Sequence, residues 1–246
     1  MNKTAVIIPS RLSAERLPNK PLKMINDKEM ILHVYEAAIK SKVGEVIVAT
    51  PDQQIAEIIE KIGGLAVITK KNHQTGTDRV FEAFNYSLNS KPDVVINLQG
   101  DMPNIDPTAI AELAEYMGRN KCDIGTLASD LNFADENKDP NVVKVVVKDK
   151  LLKKSFVNAQ DFYRINEAEI NNIYHHVGIY GFTGKSLIKY VSLERSKLEL
   201  SRKLEQLRAL ENGMTIHVGY IKSSPISVDT EEDLIAVKKL MKNEKR

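Results

Sequence analysis

The chain has 246 residues, of which 42% are apolar and 28% charged, and its net charge is +2. This length suits one large α/β domain, or one domain that carries a smaller inserted lobe. The small net charge disfavours a nucleic-acid-binding module, so any bound anion must be held by local clusters of cations. The single cysteine, Cys122, excludes an intramolecular disulfide. Together with the short apolar runs, it leads us to expect a cytoplasmic protein without a membrane span.

Short apolar runs alternate with helical patterns along the first half of the chain. In chain order these are strand Thr4–Ile8, helix Met30–Lys40, strand Glu45–Ala49, helix Gln53–Ile62, strand Leu65–Ile68, helix Asp78–Leu88, strand Asp93–Leu98 and helix Pro107–Arg119. Strands that are apolar throughout are typical of sheets covered on both faces. The alternation therefore predicts the α/β class, with a doubly wound, mostly parallel sheet between two layers of helices.

Beyond about residue 123 the pattern changes. Residues 141–148 and 151–156 alternate in polarity and flank Asp149-Lys150, which predicts a hairpin with a tight turn. The remaining predicted elements are strand Tyr174–Phe182, a long charged helix over about Ser192–Asn212, strand Ile216–Ile221 and helix Thr230–Asn243. We therefore predict a single domain over residues 1–246, with a smaller hairpin-containing lobe at about residues 140–212.

The loop after the first strand is a candidate polyphosphate site. Ligands of open parallel sheets bind beyond the carboxyl ends of the strands, where this loop, residues 9–22, lies. It carries Arg11, Arg16 and Lys20, and its three prolines keep it from forming a helix. Arginine and lysine side chains match phosphate oxygens, although three scattered cations also suit a solvated basic loop. Neither a dinucleotide-binding nor a Walker glycine motif is present.

Two aspartates at the ends of predicted strands are candidate ligands of Mg²⁺. Asp101 follows the fourth strand directly after Gln99-Gly100, and Asp229 lies between a strand and a helix. Carboxylates in such positions can hold magnesium against phosphate oxygens. Each residue also has a structural interpretation, as a turn or a helix cap, and the spacing alone slightly favours the cap for Asp229.

A third polar segment, His73–Arg79, opens the predicted third helix. Helix N-termini attract anions, so the segment is a candidate contact for a ligand. It is equally an ordinary capped helix start, with Thr77 or Asp78 as the cap. Arg79 is the residue that a cap alone does not explain.

Taken together, the motifs closely resemble those of the 3-deoxy-manno-octulosonate cytidylyltransferases, also called CMP-Kdo synthetases. The matching segments are IPSRLSAERLPNKPL, VIVATPD, HQTGTDR, NLQGDMP, DPNVVKVV, HHVGIYGF, LEQLRALENG and SVDTEEDL. They follow one another in the family's order along nearly the whole chain. The related sialic acid cytidylyltransferases share the style of the first loop, whereas GIYGF and LEQLR are typical of the Kdo enzymes.

The resemblance implies a Rossmann-like nucleotidyltransferase fold, and a cytoplasmic homodimer that acts in lipopolysaccharide biosynthesis and is joined through the inserted hairpin and the long helix. The apolar stretch Val142–Val147 and the Leu198–Leu210 stripe could supply this contact, or could pack internally. The implied reaction converts CTP and Kdo to CMP-Kdo and pyrophosphate, as the anomeric 2-hydroxyl of the sugar attacks the α-phosphorus. Arg11, Arg16 and Lys20 would hold the triphosphate, and Asp101 and Asp229 would coordinate Mg²⁺. These five are the implied catalytic residues. The remaining implied nucleotide contacts are Pro9, Ser10, Gln74, Thr75 and Gly76.

The sugar acid needs a cation and several hydrogen-bonding side chains. The resemblance assigns Arg79, Gln99, His176, Tyr180, Glu205 and Gln206 to this role. By pattern alone, His176 and Tyr180 have structural interpretations in a strand. Glu205 and Gln206 would lie on the exposed face of the long helix.

Four residues depart from the family pattern. Ser10 replaces an alanine, Met102 a glutamate that follows Gly-Asp, His175 an arginine and Arg202 a glutamate. The last two lie in sugar-side segments, which leaves an 8-amino-Kdo or a sialic-type sugar acid as an alternative substrate. A catalytically silent CTP-binding protein is a second alternative, but a sensor of CTP need not retain both aspartates.

Overall fold

The computed structural model describes residues 3–14, 16–86, 91–132, 136–165 and 171–243. The strands in these ranges are β1 Thr4–Pro9, β2 Met24–Ile25, β3 Lys28–Glu29, β4 Glu45–Thr50, β5 Leu65–Ile68, β6 Val94–Asn97, β7 Ile124–Ser129, β8 Lys144–Val147, β9 Phe156–Tyr163, β10 Ile173–Thr183 and β11 Ile216–Tyr220. The helices are α1 Met30–Lys40, α2 Gln53–Lys61, α3 Gly76–Tyr86, α4 Pro107–Arg119, α5 Gly184–Ser192, α6 Lys197–Arg202, α7 Leu207–Glu211 and α8 Glu231–Asn243. None of the helices in the described part of the chain is long and apolar enough to cross a membrane.

The chain folds into two compact units. The first comprises Met1–Glu112 and Pro225–Arg246, and the second Leu113–Ser224. In the first unit, β5, β4, β1 and β6 lie side by side in that order, and all are parallel. The predicted parallel sheet of the first half is therefore confirmed.

The helices of the first unit follow from their apolar spacing. Helix α1 has the predicted boundaries and buries Met30, Ile31, Val34 and Ala38, which recur on one face. Helix α2 ends before Gly63, whose φ of +76° favours glycine. Helix α3 begins at Gly76, two residues earlier than predicted, and its predicted end at Leu88 lies outside the described residues.

The sheet of the second unit is mixed, so the expectation of a mostly parallel sheet is wrong there. Strand β11 is parallel to β7, whereas β10 pairs antiparallel with both β7 and β8, and β9 pairs antiparallel with β11 and β8. Together, these pairings form a closed ring of five strands in the order β10, β7, β11, β9 and β8, with β8 pairing back to β10. Short connections between neighbouring strands, without crossover helices, permit antiparallel pairing.

The predicted hairpin exists, but its second strand is displaced along the chain. Strands β8 and β9 pair antiparallel, yet β9 begins at Phe156 rather than at Leu151. Leu151 is buried, and its N–H donates to the Tyr174 hydroxyl at 3.0 Å. Lys154 has φ of +60°, which no strand residue adopts. An anchored loop therefore replaces the predicted two-residue turn.

The predicted long helix over Ser192–Asn212 is wrong, because the segment contains the end of α5 followed by α6 and α7. Ser196 caps α6 through a capping box with Glu199. Lys203 then ends α6 in the left-handed conformation, with φ of +55°. Glu205 and Gln206 consequently lie in the break between α6 and α7 rather than on a continuous helix face.

Candidate active site

A cleft of about 920 Å³ lies at the carboxyl edge of the parallel sheet in the first unit. Its walls come from three segments that follow β1, β5 and β6, together with Asp229 before α8. The lining residues are Pro9, Ser10, Arg11, Ser13, Ala14, Arg16, Leu17, Lys20, Pro21, His73, Gln74, Thr75, Gly76, Arg79, Gln99, Gly100, Asp101 and Asp229. A cleft of this size at this edge is the usual location of a small-molecule site in α/β proteins.

The loop after β1 is held at its beginning and in its middle. The Leu12 N–H donates to Asp52 Oδ2 at 2.8 Å, which fixes the chain next to Arg11. Leu17 is 3% exposed and packs in an apolar cluster that includes Val228. A 3₁₀ turn over Lys20–Leu22, with proline near its start, orients the last cation. The basic loop is therefore built into the core instead of being freely solvated.

The same apolar cluster brings the two candidate metal ligands together. Val228 immediately precedes Asp229, and its N–H donates to the Asp101 carbonyl at 2.9 Å. Lys20 Nζ then lies 2.8 Å from Asp101 Oδ2 and 2.9 Å from Asp229 Oδ1. Arg16 Nη2 lies 2.8 Å from the other oxygen of Asp229. Four side chains from three distant segments thus meet at one point.

The cap interpretation of Asp229 is wrong. Helix α8 is capped by Thr230, whose hydroxyl accepts from the Asp233 N–H at 3.2 Å. Asp233 Oδ2 in turn accepts from the N–H groups of Asp229 and Thr230 at 3.0 and 2.9 Å. This reciprocal arrangement satisfies the helix start and leaves the Asp229 carboxylate for the cleft.

Lys20 is the electrostatic centre of the cluster, with a side chain that is 16% exposed. Burial lowers its pKa, but the attraction and hydrogen bonds of Asp101 and Asp229 outweigh burial, so its pKa lies above the ordinary value. Lys20 therefore remains a cation at neutral pH. Its position shows that the two carboxylates together favour a positive charge between them.

The segment that opens α3 forms the opposite wall of the cleft. Its cap is Thr75, not Thr77 or Asp78: the Asp78 N–H donates to Thr75 Oγ1 at 3.2 Å, and Asp78 Oδ2 accepts from the Thr75 N–H at 3.0 Å. A β-carbon at Gly76 would lie 3.2 Å from Gln99 Oε1. Glycine thus permits the close approach of the two segments.

Arg79 and Arg11 place two like charges on this side of the cleft. Arg79 is 3% exposed, and its guanidinium donates to the carbonyls of Lys70 and Lys71 at 2.9 and 3.3 Å. Burial lowers the pKa of Arg79 and the positive charge of Arg11 lowers it further, which the carboxylates of Asp52 and Glu82 offset only in part. Repulsion of this kind is relieved by a bound anion, which supports an anion site here.

Gln99 is oriented by a chain of hydrogen bonds. Its Nε2 donates to Asn97 Oδ1 at 2.8 Å, and Asn97 Nδ2 donates to Thr77 Oγ1 at 3.0 Å. Asn97 and Thr77 are buried, whereas Gln99 lines the cleft. The amide oxygen of Gln99 is thereby available for a donor group of a ligand. This supporting role of Asn97 and Thr77 was not predicted from the sequence.

His73 is a cleft residue that the sequence analysis left without a role. Its Nε2 pairs with the carboxylate of Glu82, which lies in α3. Burial opposes ionisation of Glu82, but hydrogen bonds from His73 and from the Lys70 N–H lower its pKa below the ordinary value. The spacing of nine residues between histidine and glutamate carries no recognisable motif, so sequence reasoning had no signal for the pair.

The other four predicted sugar-site residues lie in the second unit. His176 and Tyr180 are buried in β10 on either side of an irregularity in its pairing, with ring centroids 5.6 Å apart. Burial lowers the pKa of His176 to about 3, and the Thr126 hydroxyl lies 2.9 Å from its Nε2. Burial and the charge of Glu205 raise the pKa of Tyr180. Gln206 is 4% exposed, which contradicts the exposed helix face expected from the pattern.

The chain is similar to known proteins along nearly its whole length. A family model described as Cytidylyltransferase matches residues 5–216. The 3-deoxy-manno-octulosonate cytidylyltransferase of Methylorubrum extorquens is 39% identical, over 98% of either chain. That of Brucella ovis is 39% identical, over 94% of this chain and 93% of its own.

A solved structure is similar to this chain in both fold and sequence. It is a CMP:2-keto-3-deoxy-manno-octonic acid synthetase complexed with CTP, with a TM-score of 0.88 and 34% identity, and it covers 98% of this chain and 99% of that chain. The chain belongs to the 3-deoxy-manno-octulosonate cytidylyltransferase family. The family predicted from the motifs is thereby confirmed, as is an α/β fold of the nucleotidyltransferase type.

The departures from the pattern of this cytidylyltransferase family have different surroundings. Met102 is buried, so its side chain offers nothing to the cleft. His175 Nδ1 lies 3.1 Å from Glu136 Oε1, and Arg202 Nη1 donates to Asp161 Oδ1 at 2.7 Å. Both departures therefore have acidic partners within the second unit. Ser10 lines the cleft itself.

The donor set of the cleft fits Mg²⁺. Asp101 and Asp229 supply hard carboxylate oxygens, and magnesium is usually held by one or two carboxylates together with phosphate oxygens and water. Within the described ranges there is no group of three histidine, cysteine, aspartate or glutamate residues suited to a metal. The two aspartates are thus suited to an ion that a nucleotide brings with it, rather than to a resident ion in a protein cage.

Proposed function

We propose that the chain transfers the cytidylyl group of CTP to 3-deoxy-manno-octulosonate, which yields CMP-Kdo and pyrophosphate. One observation carries the proposal: Arg16, Lys20, Asp101 and Asp229 meet in a cleft whose fold matches that of a synthetase complexed with CTP. In this reaction the anomeric hydroxyl oxygen forms a bond to the α-phosphorus. The bond between the α-phosphorus and the bridging oxygen breaks, pyrophosphate leaves and the hydroxyl proton passes to solvent.

Catalysis of such a displacement depends on positioning and on neutralising charge. Lys20, Arg16 and Arg11 are available for the triphosphate oxygens. Asp101 and Asp229 would hold Mg²⁺, which when bound offsets charge on the phosphates and polarises the sugar hydroxyl. A phosphate chain bound in the cleft would also pair with Lys20. The carboxylates of Asp101 and Asp229, which pair with Lys20 in its absence, would then be available for the ion.

Within the same proposal, Arg79 and Gln99 bind the sugar acid in the cleft of the first unit. The orientation of Gln99 supports this role, because its free amide oxygen can accept from a sugar hydroxyl. For His176, Tyr180, Glu205 and Gln206, the role that the resemblance implies stays a prediction. His175 and Arg202 each pair with an acidic residue, and these pairs alter the charge of the sugar-side segments. An 8-amino-Kdo or a sialic-type sugar acid is therefore the alternative substrate.

We further propose that the enzyme is a cytoplasmic homodimer of lipopolysaccharide biosynthesis. Leu200, from the predicted contact stripe, is 53% exposed and supports a partner surface. In the other predicted patch, Val142–Val147, the last three valines are buried inside their own unit and are not available for a partner. Light scattering with the wild type and with Leu200→Glu tests the dimer. A dimer that persists in the variant would exclude Leu200 from the interface.

The test of the reaction is a panel of substrates. Release of pyrophosphate is measured for ATP, CTP, GTP and UTP, each combined with Kdo, 8-amino-Kdo or N-acetylneuraminate, in the presence of Mg²⁺. The proposal predicts turnover with CTP and Kdo, and no release without the sugar. Turnover of N-acetylneuraminate but not Kdo would contradict the substrate, and the absence of turnover in every combination would favour a silent CTP-binding protein.

A further inference from the structure

Glu82 has a carboxylate that the proposed reaction does not use. The residue lies in α3, its side chain is 17% exposed, and it is not one of the described residues that line the cleft. Its carboxylate contacts the loop between β5 and α3. Oε2 accepts from the Lys70 N–H at 3.0 Å and pairs with Nε2 of His73, which does line the cleft. Glu82 is thus linked to the cleft through the side chain of another residue.

Three side chains of α3 hold this loop at three successive points. Arg79 donates to two backbone carbonyls at the start of the loop, at 2.9 and 3.3 Å. Asp78 Oδ2 accepts from the Thr75 N–H at the end of the loop, at 3.0 Å. Glu82 pairs with His73, which lies between these two points. Loss of the Glu82 carboxylate would therefore release the middle of the loop while both ends stay attached.

The link through Glu82 is strong because the carboxylate is charged. Burial raises the pKa of Glu82, but the hydrogen bonds from His73 and from the Lys70 N–H, together with the charges of these two residues, lower it below the ordinary value. Hydrogen bonds to an ionised acceptor are roughly twice as strong as those between neutral groups. The position of His73 is therefore fixed firmly by Glu82.

The position of His73 in turn determines where the next residues of the cleft wall lie. Gln74 follows His73 directly, and both residues line the cleft. At the end of the wall, a β-carbon at Gly76 would lie 3.2 Å from Gln99 Oε1, so this part is already in close contact with its neighbour. Gln74 is exposed in the cleft, and its placement depends on the link between His73 and α3.

We propose that Glu82 is a positioning residue, which acts through His73 to hold Gln74 where the cleft receives the nucleotide. The inference rests on the proposed function, in which the cleft binds CTP, and on the nucleotide contact that the resemblance implies for Gln74. It adds a residue that affects nucleotide binding without touching the ligand.

The experiment measures kcat and the KM values of CTP and Kdo by pyrophosphate release, and the Tm of each variant by thermal unfolding. Glu82→Ala and His73→Ala break the link from either side, and the double variant removes both partners. Glu82→Gln keeps an acceptor oxygen for both contacts but removes the charge. The control is Glu36→Ala in α1, which loses an ion pair with Lys28 away from the residues that line the cleft.

For Glu82→Ala we expect the KM of CTP to rise about tenfold, as for the loss of a charge-assisted contact, while the KM of Kdo and kcat stay within about twofold of the wild type. Glu82→Gln should restore the KM of CTP to within about threefold. His73→Ala should resemble Glu82→Ala, and the double variant should be no worse than either single variant, because all three break the same link. Glu36→Ala should lower the Tm without changing either KM.

Four results would overturn the inference while leaving the proposed function intact. A lower Tm of Glu82→Ala with an unchanged KM of CTP would assign Glu82 a structural role only. A rise in the KM of Kdo instead of CTP would mean that Glu82 acts through the charge of Arg79. Single effects that multiply in the double variant would show that Glu82 does not act through His73. An unchanged KM of CTP in His73→Ala would contradict the inference even if Glu82→Ala does not fold. A wild type without turnover of CTP and Kdo would overturn the proposed function and the inference together.

Discussion

The cleft of the first unit and the buried polar residues of the second unit differ in the exposure and the charge of their side chains. In the cleft, ionised side chains are partly exposed and balance one another across Lys20. In the second unit, His176 and Tyr180 are buried in neutral form, and the buried Glu199 is paired with Arg208 at 2.7 Å. Partly exposed ion pairs exchange partners at little cost, whereas buried ones do not. The cleft is therefore suited to binding and releasing charged ligands, and the buried Glu199–Arg208 pair to holding a fixed local structure.

Asp229→Asn, which keeps the shape and removes the charge, is expected to have one of the two largest effects on activity, together with Asp101→Asn. Turnover should fall roughly a thousandfold or more, because charge neutralisation at the phosphates depends on this carboxylate. The Tm should change little, since the side chain of Asp229 is 40% exposed. Steady-state release of pyrophosphate and thermal unfolding measure the two effects.

Asp233→Ala is the matched control at the same helix start. It removes the carboxylate that accepts from the Asp229 and Thr230 N–H groups at the start of α8, and it should cost about 1 kcal/mol of stability, while turnover stays within about tenfold of the wild type. Equal losses of turnover in the two variants would mean that Asp229 acts only through the helix start.

Glu199→Ala tests the rigid side of the comparison. Glu199 is fully buried and accepts from Arg208 and Arg195. Its removal would take away the carboxylate that balances the charge of the buried Arg208 guanidinium, so the free energy of unfolding should fall by about 3–5 kcal/mol. Urea denaturation measures this loss, and Glu194→Ala on the exposed surface should stay within about 0.5 kcal/mol of the wild type. A loss below 1 kcal/mol in Glu199→Ala would contradict the assignment of a buried ion pair.

The buried His176 predicts a pH dependence of stability. Its pKa is about 3 in the folded state, against an ordinary 6.5. Between these values the unfolded state binds the proton and the folded state does not, so stability falls as the pH is lowered through this window. Roughly 2–3 kcal/mol should be lost between pH 6.5 and 4.5 through this residue. His176→Gln should remove that part of the slope in urea denaturation, and parallel curves for the two proteins would show that His176 is not buried in neutral form.

The smallest effect on activity is expected from a change in the hydrogen-bond chain that orients Gln99 in the cleft. Thr77→Val removes the hydroxyl that ends the chain of hydrogen bonds through Asn97 to Gln99. With Gln99 less firmly oriented, the KM of Kdo should rise about three- to tenfold while the KM of CTP stays unchanged. Thr77→Ser should restore the wild-type KM. A loss of stability without any change in the KM of Kdo would assign Thr77 a structural role only.

The sequence predicted the cleft better than the second unit for a physical reason. Parallel strands bring their carboxyl ends to one edge, so Arg11, Asp101 and Gly76 could be grouped without knowing any contact. The approach of Asp229 to Asp101 was not predictable from spacing, because it depends on Leu17 and Val228 packing in one apolar cluster.

In the second unit, the elements were harder to predict because tertiary contacts override local pattern. The capping box of Ser196 and Glu199 was visible in the sequence and could have marked the start of α6. The left-handed Lys203 gave no such signal, since lysine is common inside helices. The burial of Gln206 follows from that break, so it could not be predicted from a helical wheel.

The most direct test of the central claim is the Mg²⁺ dependence of pyrophosphate release from CTP and Kdo by the wild type and by Asp101→Asn. We expect the rate of pyrophosphate release by the wild type to rise to saturation with Mg²⁺, and Asp101→Asn to be folded but inactive at every Mg²⁺ concentration. An Asp101→Asn enzyme that turns over and still responds to Mg²⁺ would contradict the claim that the two aspartates act together on one nucleotide-bound ion.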